Sequence, residues 1–356
     1  MRPIIKPVVM SLLGSLALGF AVSAQAQEDK LYIFNWSQYM DPEIIKAFEE
    51  KHDVEVVENY YNSLPEMFSK LRAGGKSQYD IIVPSNYFVP RLVETGLVQK
   101  LDHSKLPNLE NLNDRFLDPS FDPGNEYTAA YQWGTTGLIY NKAELGEVDS
   151  WDVMFDEERN PDNPFSLISD GQVSMGIACA YLGHGYRCQD TEQWKEAAKL
   201  IINTKGRSNF NGFADGTPQL QQIAQGNIDA GMSYNGDYLF YADEDPDAYE
   251  DIEFTIPKEG AELWVDSMMI PSEAPNPDMA HKFINFILDA EIGAQLSNWT
   301  WYSSPNEAAK PMLDDILLKA PATPTDEQME RVHFTPSLKG QQLQTFQQLW
   351  TDVQSR

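Results

Sequence analysis

The stretch Leu31-Tyr32-Ile33-Phe34-Asn35, running into Trp36-Ser37-Gln38-Tyr39, constrains the fold more than any other. An apolar strand empties into an aromatic and polar cluster, and a helix opens directly behind it. Asp41 suits the cap of that helix, Pro42 suits its first position, and Ile44, Ile45 and Phe48 fall on one face. The layout recurs. The apolar run 79–84 empties into Ser85-Asn86-Tyr87-Phe88, 228–233 into Tyr234-Asn235-Gly236-Asp237, and 262–268 carries Trp264 and Asp266. Helix-length segments lie between, such as the one opened by the Ser63-Leu64-Pro65-Glu66 capping box, with Leu64, Met67, Phe68 and Leu71 as its apolar side. Strands alternating with helices of about ten residues predict βαβ units and a mostly parallel sheet. Ligands of open α/β sheets sit beyond the carboxyl ends of the strands, which gathers these aromatics and acids at one edge.

Residues 1–26 have the pattern of a signal peptide: Arg2 and Lys6, an apolar run over 8–22, and Ala24-Gln25-Ala26 as the cleavage site. The run is short and interrupted by Gly and Ser, so a retained membrane anchor is the weaker reading. About 330 residues remain, enough for two domains. Removing Arg2 and Lys6 takes the net charge from −28 to −30. Nucleic acid and anionic membrane both need basic surface, so neither is an expected partner. A cationic ligand suits such a charge loosely; solubility alone would also account for it. Export to an oxidising compartment predicts a disulfide between Cys179 and Cys188, the alternative being two unpaired thiols.

Catalytic and cofactor signals are weak. The histidines have no metal spacing, and neither GxSxG nor HExxH occurs, so neither an enzyme nor a cofactor is expected. Gly74-Gly75-Lys76-Ser77 resembles the end of a phosphate loop, but Lys70 stands where its first glycine belongs; a helix stop and turn is the better reading. The acidic run 243–247 lacks the glycine and the final glutamate of a calcium loop, with Ala248 and Phe254 in their places.

What remains is a set of aromatic residues with acids beside them: Trp36 and Tyr39, Tyr87, Tyr234 with Asp237, Trp264 with Asp266, Tyr302, and Asp170. Any one ring can be core. As a set they are harder to assign to packing, because buried carboxylates need partners and the local sequence supplies no Arg or Lys. A bound cation would be such a partner. A carboxylate offers an ammonium a charge-assisted hydrogen bond, and a Trp or Tyr face adds roughly 0.5–2 kcal/mol. Several acids along an aromatic cleft suit a linear di- or polycation.

On Asn35-Trp36-Ser37-Gln38-Tyr39, the stretch from Tyr79 to Ser85, Tyr131-Gln132-Trp133-Gly134-Thr135, Asn235-Gly236, Trp264-Val265-Asp266-Ser267 and Pro305-Asn306, the chain resembles the periplasmic spermidine/putrescine-binding proteins of bacterial ABC transporters. The resemblance implies a two-lobe periplasmic-binding-protein fold of class α/β. Each lobe would be a mostly parallel sheet flanked by helices, joined by crossover hinge strands. Lobe 1 would span 27–135 plus 266–311, and lobe 2 would span 136–265 plus 312–356. Trp36, Tyr39, Tyr87 and Trp264 would box the ligand, with Ser37 beside them and Ser85 as a hydrogen-bond partner. Asp266 would be the central carboxylate, with Asp170 and Tyr302 near the ends of the groove. Tyr234 stands where relatives have Trp. Asp237 matches an acid of the putrescine-binding type, and Val173 replaces a glutamate of the spermidine-binding type. Putrescine, norspermidine and spermidine therefore all remain open as ligands. The implied product is a periplasmic monomer that hands a polyamine to an ABC-transporter permease, or alternatively reports it to a membrane-bound sensor receptor. An exported hydrolase, or a binder of amino acids or sugars, is the rival reading from the residues alone.

Overall fold

The computed structural model describes residues 29–356, so the leader expected over 1–26 lies outside the described residues. The first segment folds as the strand-helix alternation predicts. Strands β1 (Asp29–Asn35), β2 (Val54–Tyr60) and β3 (Ile81–Ile82) form a parallel sheet in the order β2-β1-β3. The helix Pro42–His52 between the first two is capped by Asp41, whose carboxylate accepts from the Glu43 amide at 2.9 Å. Ser63 caps the helix Leu64–Arg72, but only half of the predicted capping box forms. The Glu66 carboxylate reaches back to the Asn62 amide at 3.0 Å instead of that of Ser63.

Further strands are β4 (Val98–Gln99), β5 (Ala129–Asn141), β6 (Phe165–Ile168), β7 (Phe210–Ala214), β8 (Ala230–Tyr234), β9 (Ile252–Thr255), β10 (Ala261–Met268), β11 (Ile270–Pro271) and β12 (Val332–Phe334). A second, mixed sheet has the order β12-β10-β5-β8-β6-β7, with β9 also paired to β5. Parallel pairs β6-β7, β6-β8 and β10-β12 flank the long β5, which runs antiparallel to β8, β9 and β10.

One strand serves both sheets. β10 pairs with β5 until its register shifts between Asp266 and Ser267. There it turns to the continuation of β3: Ser267 donates to the Pro84 carbonyl at 3.0 Å, and Met269 and Ile82 exchange both backbone bonds at 2.9 and 3.0 Å. The chain then forms a separate two-stranded sheet of β11 with β4 and packs the helix Pro277–Ile287 on the helix Pro42–His52, where Phe283 meets Phe48 edge-on at 4.9 Å. The helix that follows, Ala290–Thr300, is capped by Asp289. Its buried face is Gly293, Ala294, Leu296, Ser297 and Thr300, mostly small or polar.

The second sheet is backed by the helices Gly171–Tyr181, Thr191–Lys205 and Gly340–Ser355, the last two meeting at Trp194 and Phe346. Cys179 and Cys188 form the predicted disulfide, with their Cα atoms 6.2 Å apart, and so tie the end of Gly171–Tyr181 to the loop that carries Tyr186. Closing a loop this short in the unfolded chain predicts that the Cys179→Ser/Cys188→Ser variant loses about 2–4 kcal/mol of unfolding free energy. Urea titration of the two proteins measures it. An unchanged midpoint would mean that Tyr186 and Trp194 hold the loop unaided.

Candidate functional site

Where β10 changes sheets, side chains from both sheets converge. The Ser85 hydroxyl, just past β3, donates to Asp266 at 2.5 Å. Tyr87, in the 3-10 turn Asn86–Phe88, donates to Asp170 at 2.6 Å. Asp170 ends the run from β6, and its other oxygen caps the helix Gly171–Tyr181 by accepting from the amides of Gln172 and Val173 at 2.8 and 3.1 Å. Tyr302 and Thr217 both donate to Asp237, in the first turn of the helix Asn235–Glu244. The three acids are thus held by hydroxyls, and two of the contacts join elements that pack on different sheets.

Rings wall the same space. Trp264 meets Tyr302 edge-on at 5.1 Å and Tyr234 at 6.2 Å, and Tyr302 meets Tyr39 at 5.7 Å. Trp36 leans on Tyr61 at 4.4 Å, and both donate to the Val83 carbonyl. Two glycines make room for this cage. A Cβ at Gly134 would stand 2.6 Å from the Trp264 ring, and one at Gly236 would stand 2.4 Å from that of Tyr302. Asn235 fixes the junction, accepting from the Thr135 amide and donating to the carbonyls of Pro321 and Ala322.

Strand geometry adds an acid that the sequence reading omits. Side chains alternate along β10, so Glu262, Trp264 and Asp266 share a face. Glu262 is buried and accepts from Thr136 at 2.6 Å and Thr335 at 2.7 Å. The signal was present as the spacing Glu-x-Trp-x-Asp. Trp264 and Asp266 lie inside the strand, not at its end, so the alternation of β10 and not a strand terminus is what brings Glu262 to the site. An aspartate is tolerated there because the ladder breaks beside it and Ser85 bridges to it.

Burial dominates the electrostatics. It pushes the Asp266 carboxyl up to about 7, against the opposing pull of the Ser85 hydroxyl. It pushes Glu262 up to about 7 as well, with Thr136 opposing and the Asp170 charge adding to the rise. Asp237 is raised by burial too, partly offset by Thr217 and Tyr302. No ion pair among the described residues involves Asp170, Asp237, Glu262 or Asp266. The Trp264 Nε1 and the Tyr39 hydroxyl are buried without hydrogen-bond partners. An arrangement of desolvated carboxylates, electron-rich rings and no internal cation is suited to holding ammonium groups.

Of the residues expected from sequence, Trp36, Tyr39, Ser85, Tyr87, Asp170, Tyr234, Asp237, Trp264, Asp266 and Tyr302 come together here. Ser37 does not join them by any hydrogen bond; it is exposed in the turn after β1. Tyr61, Thr136, Thr217, Glu262 and Thr335 belong to the surroundings and have no distinguishing local pattern except that of Glu262.

Residues 43–325 match the bacterial extracellular solute-binding protein family. A putrescine/cadaverine-binding protein of Pseudomonas aeruginosa is 33% identical over 97% of this chain and 98% of its own. A spermidine/putrescine-binding periplasmic protein of Salmonella typhimurium is 31% identical over 84% of each. Among solved structures, the spermidine/putrescine ABC transporter substrate-binding protein of Streptococcus pneumoniae superposes with a TM-score of 0.79 at 28% identity, covering 92% of this chain and 99% of that one.

Proposed function

We propose, for a chain that belongs to the bacterial extracellular solute-binding protein family, that it captures a linear polyamine of the putrescine, norspermidine or spermidine class between two lobes. The lobes are 27–135 with 266–311, and 136–265 with 312–356. The observation that carries the reading is a set of carboxylates with hydroxyl partners and no cation, Glu262 and Asp266 buried and Asp170 and Asp237 half-buried. Asp266 is the principal carboxylate. Trp36, Tyr39, Tyr87, Tyr234, Trp264 and Tyr302 face the methylenes and ammoniums, and Ser85, Asp170 and Asp237 complete the set. The ligand is bound and released unchanged in the periplasm and passed to an ABC-transporter permease, the output that the relatives' names support. Tyr87 and Asp170 come from opposite lobes, so a ligand touching both favours the closed form through its differential affinity for it.

Calorimetric titration of ligand-free protein with putrescine, cadaverine, norspermidine, spermidine and spermine tests this. Saturable one-to-one binding of at least one is expected, and no binding to folded protein sinks the reading.

The acidities add a pH prediction. Asp266 and Glu262 are raised to about 7 and must ionise to pair with ammonium, which stays protonated well above that pH. Affinity should therefore fall below pH 7, by about tenfold per pH unit for each carboxylate that must lose its proton, and level off above it. The sign for folding is the reverse. A raised carboxyl binds more protons folded than unfolded between about 4 and 7, so these groups favour the ligand-free fold at the acid end of that window. Titrations at pH 5.5 and pH 8 decide it. Equal affinity at the two values would show that neither carboxylate meets the ligand.

A further inference from the structure

We infer that Gln132 is a further ligand-contacting residue of the same cleft. Its side-chain carbonyl oxygen accepts a hydrogen from the ammonium held by Asp266, and the pair selects a primary over an N-alkylated ammonium there. The inference rests on the polyamine reading and adds to it which kind of nitrogen the Asp266 position takes.

Sheet register brings the two residues together. Gln132 of β5 stands directly opposite Asp266 of β10. Directly opposed residues of an antiparallel pair point to the same side, with Cβ atoms about 4.5–5.5 Å apart. The next pairing is Ser267 with Ala130, so Tyr131 is an extra residue, a bulge where β10 changes sheets. Cage residues surround the position. Tyr131 donates from its hydroxyl to the Tyr39 carbonyl, and the two rings meet edge-on at 5.3 Å. Gly134 follows Gln132 on the same face of β5, and the Trp264 ring lies across it. Thr300, bonded to Gln132, precedes Tyr302 by two residues.

Hydrogen-bond chemistry fixes which end of the amide is free. The Thr300 hydroxyl has one hydrogen and donates it to the Leu296 carbonyl at 2.9 Å. Toward Gln132 it can only accept, so the Nε2 donates to it at 2.7 Å and the Oε1 lies on the other side. Gln132 is fully buried, and no residue donates to that oxygen. Packing alone gives no reason for it. Thr300 already has a partner in Leu296, and a buried carbonyl without a donor costs stability. Buried polar atoms without partners indicate a place that a polar group fills. The Tyr39 hydroxyl, within electrostatic reach of Asp266, is buried and unpartnered as well.

A primary ammonium carries three N–H donors, and Asp266, Gln132 and Tyr39 together give each of them an acceptor. A secondary ammonium carries two, and turns a carbon towards one of the three oxygens. That oxygen then stays desolvated and unpaired, which is how a polar site rejects an analogue lacking one donor.

Calorimetric titration at pH 8 of wild type, Gln132→Met and Gln132→Glu tests this. The probes are putrescine and norspermidine, each compared with its analogue bearing one methyl on each terminal nitrogen. Wild type should bind the methylated analogues at least about tenfold more weakly than the parents. Gln132→Met has a similar volume but no oxygen. It should weaken parent binding by about 10- to 100-fold and erase most of the methylation penalty. Gln132→Glu loses the same bond to Thr300 but keeps an acceptor oxygen, so it should retain the penalty. A penalty equal in wild type and Gln132→Met, or erased in Gln132→Glu as fully as in Gln132→Met, overturns the inference and leaves Gln132 as a partner of Thr300 only. Wild type that binds parents and methylated analogues alike overturns it whether or not the variants fold, and leaves the polyamine reading intact. Wild type that binds none of these amines overturns both.

Discussion

Asp266→Ala should weaken polyamine binding by about two to four orders of magnitude, the ~3–5 kcal/mol that follows when one member of a buried charge pair is removed. Asp266 is 6% exposed, its one side-chain hydrogen bond is to a neutral hydroxyl, and no Lys or Arg pairs with it. Without it, a desolvated ammonium held at Ser85 and the Trp264 ring would lose the carboxylate nearest to it. Asp266→Asn keeps the shape and the contact to Ser85 and should lose nearly as much affinity, because the charge is what the ligand needs. The ligand-free protein should tell the opposite story. A buried carboxyl raised to about 7 is an unfavourable group when ionised, so Asp266→Asn should match or exceed the thermal stability of wild type at pH 8. Calorimetric titration together with thermal melts separates the two effects. Asp266→Asn that binds like wild type would remove Asp266 from the site, whatever its stability.

Trp264→Ala should be the most damaging single substitution to the fold around the cleft. The side chain is 7% exposed, lies against Gly134 and contacts Tyr234 and Tyr302. Truncating a buried aromatic costs about 3–5 kcal/mol, lost packing and residual cavity together. Binding should fall as well, since the ring between Glu262 and Asp266 would be gone. Trp264→Phe separates the causes. The Nε1 has no protein partner, so Phe forfeits no hydrogen bond within the protein and should recover most of the stability. Gly134→Val attacks the same contact from β5, where a Cβ already comes 2.4 Å from the Asn235 side chain as well as 2.6 Å from Trp264. Urea unfolding of the three variants measures the effect. If Trp264→Ala unfolds with the wild-type midpoint, Trp264 does not form part of a packed cage.

Local chemistry was legible in the chain wherever one segment settles it alone. Asp41 capping Pro42–His52, Ser63 capping Leu64–Arg72, the stop at Gly74 and the amphipathic Pro277–Ile287 all depend on neighbours within a few residues. The aromatic and acidic cluster was legible for a related reason: an Asp beside Trp in an apolar run conflicts with burial unless something pairs with it, and the conflict is visible without coordinates.

What the chain did not disclose depends on residues far apart in sequence. Helix Ala290–Thr300 buries small and polar residues because of what lies against it, and β5 runs antiparallel between its neighbours because β10 returns to it from more than a hundred residues away. The class of fold and the chemical character of the cleft are written in the chain, since periodicity, capping and the burial cost of a charge are local quantities. That Asp170 faces Tyr87, that Asp237 faces Tyr302 and that Glu262 shares a face with Asp266 follow from the assembled sheets alone. Partners set by strand register and by which sheet a strand joins are fixed by the fold as a whole.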